Sequence, residues 1–211
     1  MVGAAERWLY VVRHGEADAE GGLTERGRRQ ARALGERLRG VPLAAVHHGP
    51  LPRAAETARL AAERLDGVPV HVAEAAGDYV PHTPEREELP PEAADFLLDF
   101  VHRFPVEERR RGPALAAEAE ARFTGPVEGG EPRHELLVTH NFLLGRLVSA
   151  AMYAPPWRWL AVNGCNCALT VIRYVPGRPP YLVVHNDMAH LPDELRWTGV
   201  PEDHRIGGRA G

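Results

Sequence analysis

The most informative absence from this sequence is lysine, because all 25 basic residues of the chain are arginine. A P-loop, a Schiff-base enzyme and a protein kinase each require a lysine amine, so these three classes are excluded. If the chain handles phosphate, the task falls to arginine, histidine and main-chain N–H groups. Arginine suits this task, because its planar guanidinium can donate to two phosphate oxygens at once.

The sequence also has few cysteines, no long apolar run and little net charge. The two cysteines, Cys165 and Cys167, are too close together for an ordinary disulfide and too few for a zinc site, so we interpret both as buried apolar side chains. No run approaches the ~20 apolar residues of a membrane-spanning helix. The beginning of the sequence lacks the pattern of a signal peptide, which predicts a cytoplasmic location. The net charge of −4 gives no reason to expect nucleic acid or a membrane surface as a partner.

The apolar pattern predicts strands and helices in alternation. An unbroken apolar run at residues 8–12 is typical of a strand that is buried on both faces, and Thr24 is placed as the N-cap of the first helix. This alternation predicts an α/β fold, a three-layer α/β/α sandwich around a mostly parallel sheet. The further predicted strands are residues 43–46, 68–72, 134–139, 167–174 and 180–184, and the further helices of this core are residues 53–65 and 141–152.

The middle of the chain, residues 73–132, interrupts the alternation. It is rich in proline, glutamate and arginine and contains two helical patterns, at residues 91–104 and 113–123. We therefore predict a helical insertion over the carboxyl edge of the sheet, the kind of segment that often lines a substrate site. The prediction for the whole chain is a single α/β domain at residues 1–199, followed by a flexible tail at residues 200–211.

Three polar segments are predicted at the carboxyl edge of the sheet, where open parallel sheets bind their ligands. In Arg13-His14-Gly15-Glu16, which follows the first strand, the neutral imidazole of His14 could act as a nucleophile. Arg53 begins a helix, whose N-terminus adds partial positive charge for an anion. His140 lies between a buried strand and a helix. Taken singly, each segment also has an ordinary explanation: a surface loop, a solvated arginine or a core histidine.

With three further motifs, these segments resemble the histidine phosphatase superfamily, also called the phosphoglycerate mutase-like family. The resemblance extends over nearly the whole chain, and six motifs in the family's order are more specific than any one of them. They are Arg13-His14-Gly15-Glu16, Leu23-Thr24-Glu25-Arg26-Gly27-Arg28-Arg29-Gln30-Ala31, Pro50-Leu51-Pro52-Arg53-Ala54 with Thr57-Ala58, His140, Asn166, and Asn186-Asp187-Met188-Ala189-His190-Leu191.

The resemblance implies a metal-independent phosphomonoester hydrolase that has no cofactor and acts on a small phosphorylated substrate. His14 would become a phosphohistidine, which water then hydrolyses. Arg13, Arg53, His140 and Asn166 would bind the phosphate, with His140 also taking part in catalysis. The physical chemistry agrees with this, because fixed cations can stabilise the charge on a phosphoryl group in transfer without a metal ion.

The reaction also needs a general acid to protonate the leaving oxygen, and the resemblance implies a carboxylate early in the inserted segment. Asp78 fits that place best, and Glu74 is the alternative. Two positions depart from the family's pattern. Thr139-His140-Asn141 stands where the family most often has Ser-His-Gly, and His48-Gly49 replaces a pair of small hydroxyl residues. His48 either ends a strand, which we favour, or reaches the mouth of the pocket.

Three alternative functions remain open. A phosphoglycerate mutase has a longer stretch between the first two motifs, and the short loop at residues 17–22 favours a phosphatase. A metal hydrolase could draw on the 11 histidines, but His134-Glu135 and His140 lack the i, i+4 spacing of a helical zinc motif. A non-catalytic phosphate-binding protein would have the same pocket. The sequence contains no recognisable code for the substrate or for the oligomeric state.

Overall fold

The apolar run near the start of the chain forms the strand around which the fold is built. In the computed structural model, which describes residues 3–206, a short strand β1 (Ala4–Ala5) precedes this strand, β2 (Arg7–Arg13). Leu9 and Val11 pack against helices on one face of the sheet, and Val12 packs against helices on the other. The run lacks polar positions because both of its faces are buried.

The other helices and strands follow the predicted alternation. In chain order they are α1 (Glu25–Leu38), β3 (Leu43–His48), α2 (Pro52–Ala62), β4 (Val70–Val72), α3 (Ala94–His102), α4 (Val106–Phe123), β5 (Val127–Glu128), β6 (Arg133–Thr139), α5 (Asn141–Ala151), β7 (Leu169–Tyr174) and β8 (Tyr181–Asp187). The side chain of Thr24 accepts a hydrogen bond from the Gly27 N–H and caps α1, as predicted.

The six-stranded sheet has the order β4-β3-β6-β2-β7-β8. The first four strands run parallel, and β7 and β8 are each antiparallel to the strand before them in this order. Helices α1 and α2 cover one face, and α4 and α5 cover the other. The prediction of a three-layer sandwich around a mostly parallel sheet is therefore confirmed. A small antiparallel ribbon of β1 and β5 was not foreseen by the sequence pattern.

The second helix of the insertion is longer than predicted. The prediction that it begins at residue 113 is wrong, because α4 already begins at Val106. The pair Gly112-Pro113 is typical of a helix break, since proline lacks the N–H that an interior helical position donates. Pro113 is exposed, so water can hydrogen-bond the main-chain carbonyl that loses its partner, and the helix continues through it.

The insertion packs over the carboxyl edge of the sheet. Val80, which follows Asp78, is buried with Val101 of α3 and Trp159. Both cysteines are buried free thiols, as predicted. The boundary of the domain at residue 199 stays a prediction, as does the flexible tail, of which residues 207–211 lie outside the described residues. No helix in the described part of the chain is long and apolar enough to cross a membrane.

The packing of α4 on the segment that contains Val80 can be tested at Gly112. A methyl group at this position would overlap the main-chain carbonyl oxygen of Val80. Gly→Ala in an open helical position adds up to about 1 kcal/mol of stability, but here we expect the overlap to lower the free energy of unfolding by about 2 kcal/mol. Urea denaturation measures this, with Gly130→Ala as the matched control, because a Cβ at Gly130 meets nothing within 4 Å. An equal effect of the two substitutions would contradict the packing argument.

Candidate active site

The three polar segments singled out in the sequence meet at the carboxyl edge of the parallel strands. His14 directly follows β2, Arg53 lies in the first turn of α2, and His140 is the N-cap of α5. The imidazole centroids of His14 and His140 are 5.0 Å apart. The Nε of Arg53 donates a hydrogen bond to Nε2 of His14 at 3.1 Å. The structure thus brings together side chains that are distant in the sequence.

The hydrogen bonds of His14 define which of its nitrogens is available for attack. Nδ1 lies 2.7 Å from the carbonyl oxygen of Gly15. A carbonyl oxygen only accepts, so Nδ1 carries the proton and Nε2 keeps its lone pair, which faces the N–H of Arg53. Burial, followed by the charges of His140 and the nearby arginines, lowers the pKa of His14 to about 3. The ring is therefore neutral near pH 7, as a nucleophile must be.

Two motif glycines allow the loop of His14 to pack tightly on α1. A Cβ on Gly15 would lie 2.6 Å from the carbonyl oxygen of Gly27, and a Cβ on Gly27 would overlap the main chain of Glu16. Neighbouring side chains then accept hydrogen bonds from the main-chain N–H groups of this loop. The Gly15 N–H donates to the hydroxyl of Thr57 at 3.0 Å, and the Glu16 N–H donates to Gln30 Oε1 at 2.8 Å. Motif positions in α1 and α2 therefore hold the loop of His14 in place.

Asn166 supports the same loop from the other side. Its side-chain N–H donates to the main-chain oxygen of His14 at 2.7 Å, and the residue is only 2% exposed. Its own main-chain N–H donates to the oxygen of Thr198. These contacts assign Asn166 a role in positioning His14. Its predicted contact with phosphate stays a prediction, although it does line a cavity beside His14.

The guanidinium of Arg13 is held by the main chain. It donates to the carbonyl oxygens of Gly164 and Gly199, and burial lowers its pKa. Thr198, next to Gly199, accepts a hydrogen bond from Gln30 Nε2 at 2.7 Å. These contacts could not be predicted from the sequence, because residues 198–199 match none of the motifs and act through main-chain oxygens or a single hydroxyl. Only the positive φ of Gly199, +80°, is indicated locally by the sequence, because glycine is the residue that adopts this conformation most readily.

His140 is almost completely buried, with 1% of its surface exposed. Neither ring nitrogen has a hydrogen-bond partner within the described part of the structure. Burial, with the charges of Arg53 and Arg13, lowers the pKa of His140 to about 3. A Cβ on Gly49 would lie 3.2 Å from His140 Nε2, so the glycine at position 49 leaves room for this ring. A buried imidazole with unused polar atoms beside a nucleophile is suited to bind an oxyanion.

Of the two candidate acids, Asp78 lies at the site. Its Oδ2 accepts a hydrogen bond from Arg53 Nη2 at 2.7 Å and lies 3.6 Å from His140 Nδ1. Glu74 begins a short 3-10 helix, Glu74–Ala76, and its side chain is exposed. His48 is the last residue of β3, as favoured, and its Nδ1 is hydrogen-bonded to the carbonyl oxygen of Gly49 at 2.8 Å.

The site opens into a cavity of about 400 Å³. Its lining residues are Arg13, His14, Leu51, Asp78, Phe104, Glu108, His140, Asn141 and Phe142. Within residues 3–206, no three or more histidine, cysteine, aspartate or glutamate side chains are grouped as ligands for a metal ion.

Comparison with known proteins gives a consistent result. The Drosophila melanogaster protein "Serine/threonine-protein phosphatase Pgam5, mitochondrial" is 27% identical over 214 residues, which covers 93% of this chain and 68% of that protein. The structure of Bacillus stearothermophilus YhfR is 27% identical with a TM-score of 0.63, covering 87% of this chain and 98% of that one. The alpha-ribazole phosphatase from Shigella flexneri has a TM-score of 0.65 at 21% identity, covering 85% and 96% of the two chains, and supports the fold alone.

The sequence model of the histidine phosphatase superfamily (branch 1) matches residues 9–187. This range begins in β2 and ends with β8, so it contains all of the six-stranded sheet except the first two residues of β2, and it includes the loops that carry His14, Arg53 and His140. Since the match covers most of the sequence, the chain belongs to the histidine phosphatase superfamily.

Proposed function

We propose that this chain is a metal-independent phosphomonoester hydrolase in which Nε2 of His14 attacks phosphorus. Membership of the superfamily and its phosphatase relatives indicate a phosphatase. The observation that carries the finer proposal is the state of His14: neutral, with Nδ1–H fixed on the Gly15 carbonyl oxygen and Nε2 directed at the guanidinium of Arg53. A small phosphorylated substrate, no cofactor, no nucleic-acid or membrane partner and a cytoplasmic location are further parts of the proposal.

The reaction then takes two steps. In the first, the lone pair of His14 Nε2 forms a bond to phosphorus while the bond from phosphorus to the alcohol oxygen breaks. The guanidiniums of Arg13 and Arg53 and an N–H of His140 stabilise the charge on the three equatorial oxygens. The leaving oxygen takes a proton from Asp78. In the second step, water attacks phosphorus, gives a proton back to Asp78, and the phosphorus–nitrogen bond breaks to release inorganic phosphate.

The ion pair between Arg53 and Asp78 supports the acid role of Asp78. A substrate phosphate competes for the guanidinium of Arg53, which otherwise donates to Asp78 Oδ2 at 2.7 Å. Binding would therefore release the carboxyl group from its cation and place a second negative charge beside it. The released carboxyl group would then be free to hydrogen-bond to the leaving oxygen, as a general acid must.

Hydrolysis of p-nitrophenyl phosphate in excess EDTA tests the proposal. We expect wild-type activity to survive the chelator and His14→Ala to abolish turnover, because the substitution removes the nitrogen that forms the bond to phosphorus. His48→Ala is the matched control and should keep its activity, since its ring is engaged with its own main chain at the end of β3. Activity that EDTA removes and that His14→Ala spares would overturn the proposal.

The choice between Asp78 and Glu74 is tested with leaving groups of different basicity. Asp78→Asn should lower kcat/KM for phenyl phosphate by about 10²-fold or more, the usual contribution of a general acid. The loss should be smaller for p-nitrophenyl phosphate, whose leaving group needs less help from a proton. Glu74→Gln should leave both values near wild type. The reverse pattern would make Glu74 the acid.

The neutral state of the two site histidines predicts how stability depends on pH. Both have a pKa of about 3 in the folded protein, whereas a histidine in the unfolded chain titrates near ~6.5. As the pH falls below that value, the unfolded chain takes up protons that the folded protein does not bind, so stability decreases. Between pH 7.5 and 5 we expect each histidine to account for a loss of about 1 to 2 kcal/mol. Urea denaturation should show a smaller loss for His14→Gln, and an unchanged loss would contradict the neutral state of His14.

A further inference from the structure

The cavity beyond the phosphate position has an apolar wall on one side. Leu51, Phe104 and Phe142 line it. The ring centroids of Phe104 and Phe142 are 5.3 Å apart, and both rings contact Phe100 behind them. Phe142 also packs on Trp159 at 4.7 Å. Because Phe100 and Trp159 pack against the two lining rings and hold them in place, this wall is preformed for an apolar group on the substrate.

The polar side of the same cavity carries negative charge from two segments of the insertion. Glu108 of α4 and Asp78 both line the cavity. Glu108 is placed there by Gly112, one turn later on the same face of α4, where the missing side chain lets the helix approach the carbonyl oxygen of Val80. Burial and the negative charge of Asp78 raise the pKa of Glu108, whereas a hydrogen bond from the Val80 N–H lowers it. The two carboxyl groups are therefore close enough to repel each other.

The cations of the site lie at the phosphate position. Of the described residues that line this cavity, Arg13 is the single arginine, and its guanidinium is held by main-chain oxygens at the base. Arg53 is bound to Asp78 and to His14. A carboxylate on the leaving group would therefore meet Glu108, Asp78 and two phenyl rings, without a cation to pair with it. Desolvating an unpaired carboxylate is unfavourable, and repulsion by two like charges adds to the cost.

We propose that this wall selects the leaving group: the enzyme hydrolyses phosphomonoesters of apolar or aromatic alcohols that carry no carboxylate, and Glu108 is the residue that rejects acidic ones. The inference rests on the proposed phosphatase function and deepens it. It also disfavours phosphoglycerate, whose carboxylate is close to its phosphate, as a substrate of this site.

The experiment compares phenyl phosphate with 4-carboxyphenyl phosphate in the wild type, Glu108→Gln and Glu107→Gln. The ratio of the two kcat/KM values is compared between enzymes, which removes the intrinsic difference in reactivity. Glu108→Gln should shift this ratio by about 5- to 10-fold toward the carboxylated substrate. This is the effect expected when one partly screened negative charge near the carboxylate of the substrate is removed. Glu107→Gln is the matched control, because its side chain is 84% exposed and pairs with Arg110, and it should leave the ratio unchanged.

Two outcomes would overturn the role of Glu108. A ratio that does not move in Glu108→Gln removes its part in selection. An equal fall in kcat with both substrates makes it part of phosphoryl transfer instead. The apolar wall is tested with two alkyl esters, cyclohexylmethyl phosphate and glycerol 1-phosphate. The wild type should prefer the first by kcat/KM, and equal values would overturn this part of the proposal.

A binding measurement separates this inference from the proposed function. Benzylphosphonate and 4-carboxybenzylphosphonate cannot be hydrolysed, so calorimetry reports selection without turnover. If the protein hydrolyses nothing but binds the first more tightly, and Glu108→Gln narrows the difference, the selectivity stands and the phosphatase proposal fails. If phosphate esters are hydrolysed in a His14-dependent reaction with no discrimination between the pairs, the phosphatase stands and the selectivity fails.

Discussion

The hydrogen bond from His14 Nδ1 to the carbonyl oxygen of Gly15 is the contact on which the site depends. It determines the tautomer, and with it the nitrogen that faces the cavity. The loop after β2, which carries both His14 and the carbonyl oxygen of Gly15, turns closely against α1. The close contact between Gly15 and Gly27 permits that turn, and Thr57, Gln30 and Asn166 satisfy the polar groups that the turn leaves over. Many of the residues in the sequence motifs therefore serve to hold the imidazole of His14 in place.

The electrostatics of the site result from arginine cations that lie partly buried beside neutral histidine rings. Arg13 and Arg53 lie next to His14 and His140, and their charges help to keep the pKa of both histidines low. Burying a guanidinium, and an imidazole whose nitrogens have no partner in the described part of the structure, costs folding free energy. A bound phosphate would reduce this cost, since its oxygens could accept a hydrogen bond from the ring of His140, whose nitrogens have no partner in the described part of the structure. In the proposed reaction, these same buried groups would contribute to phosphate binding and to stabilisation of the transferred phosphoryl group.

Local patterns were sufficient for the sheet, the helices that cover it and the meeting of His14, Arg53 and His140. Parallel strands end at the same edge, so residues that follow them come together whatever the details of packing. The start of α4, the β1–β5 ribbon and the contact of Arg13 with Gly199 could not be obtained in this way. Each depends on segments far apart in the sequence, and Gly112-Pro113 even carries the local signal of a break. Its glycine is there for close packing on Val80, which only the folded chain reveals.

The structure divides the work of the site between two parts of the chain. In the proposed reaction, the strand ends and the starts of α2 and α5 supply the nucleophile and the groups that bind phosphate. The insertion supplies Asp78, Glu108 and Phe104, which line the cavity where the leaving group would lie. These two parts are joined by the ion pair of Arg53 with Asp78 and by the hydrogen bond that the hydroxyl of Thr139 donates to the carbonyl oxygen of Ala76. We therefore expect substitutions in α4 to change which alcohol fits without disturbing the phosphate position. For the same reason, the motifs of the core identify the superfamily and leave the substrate to a segment that has no shared pattern.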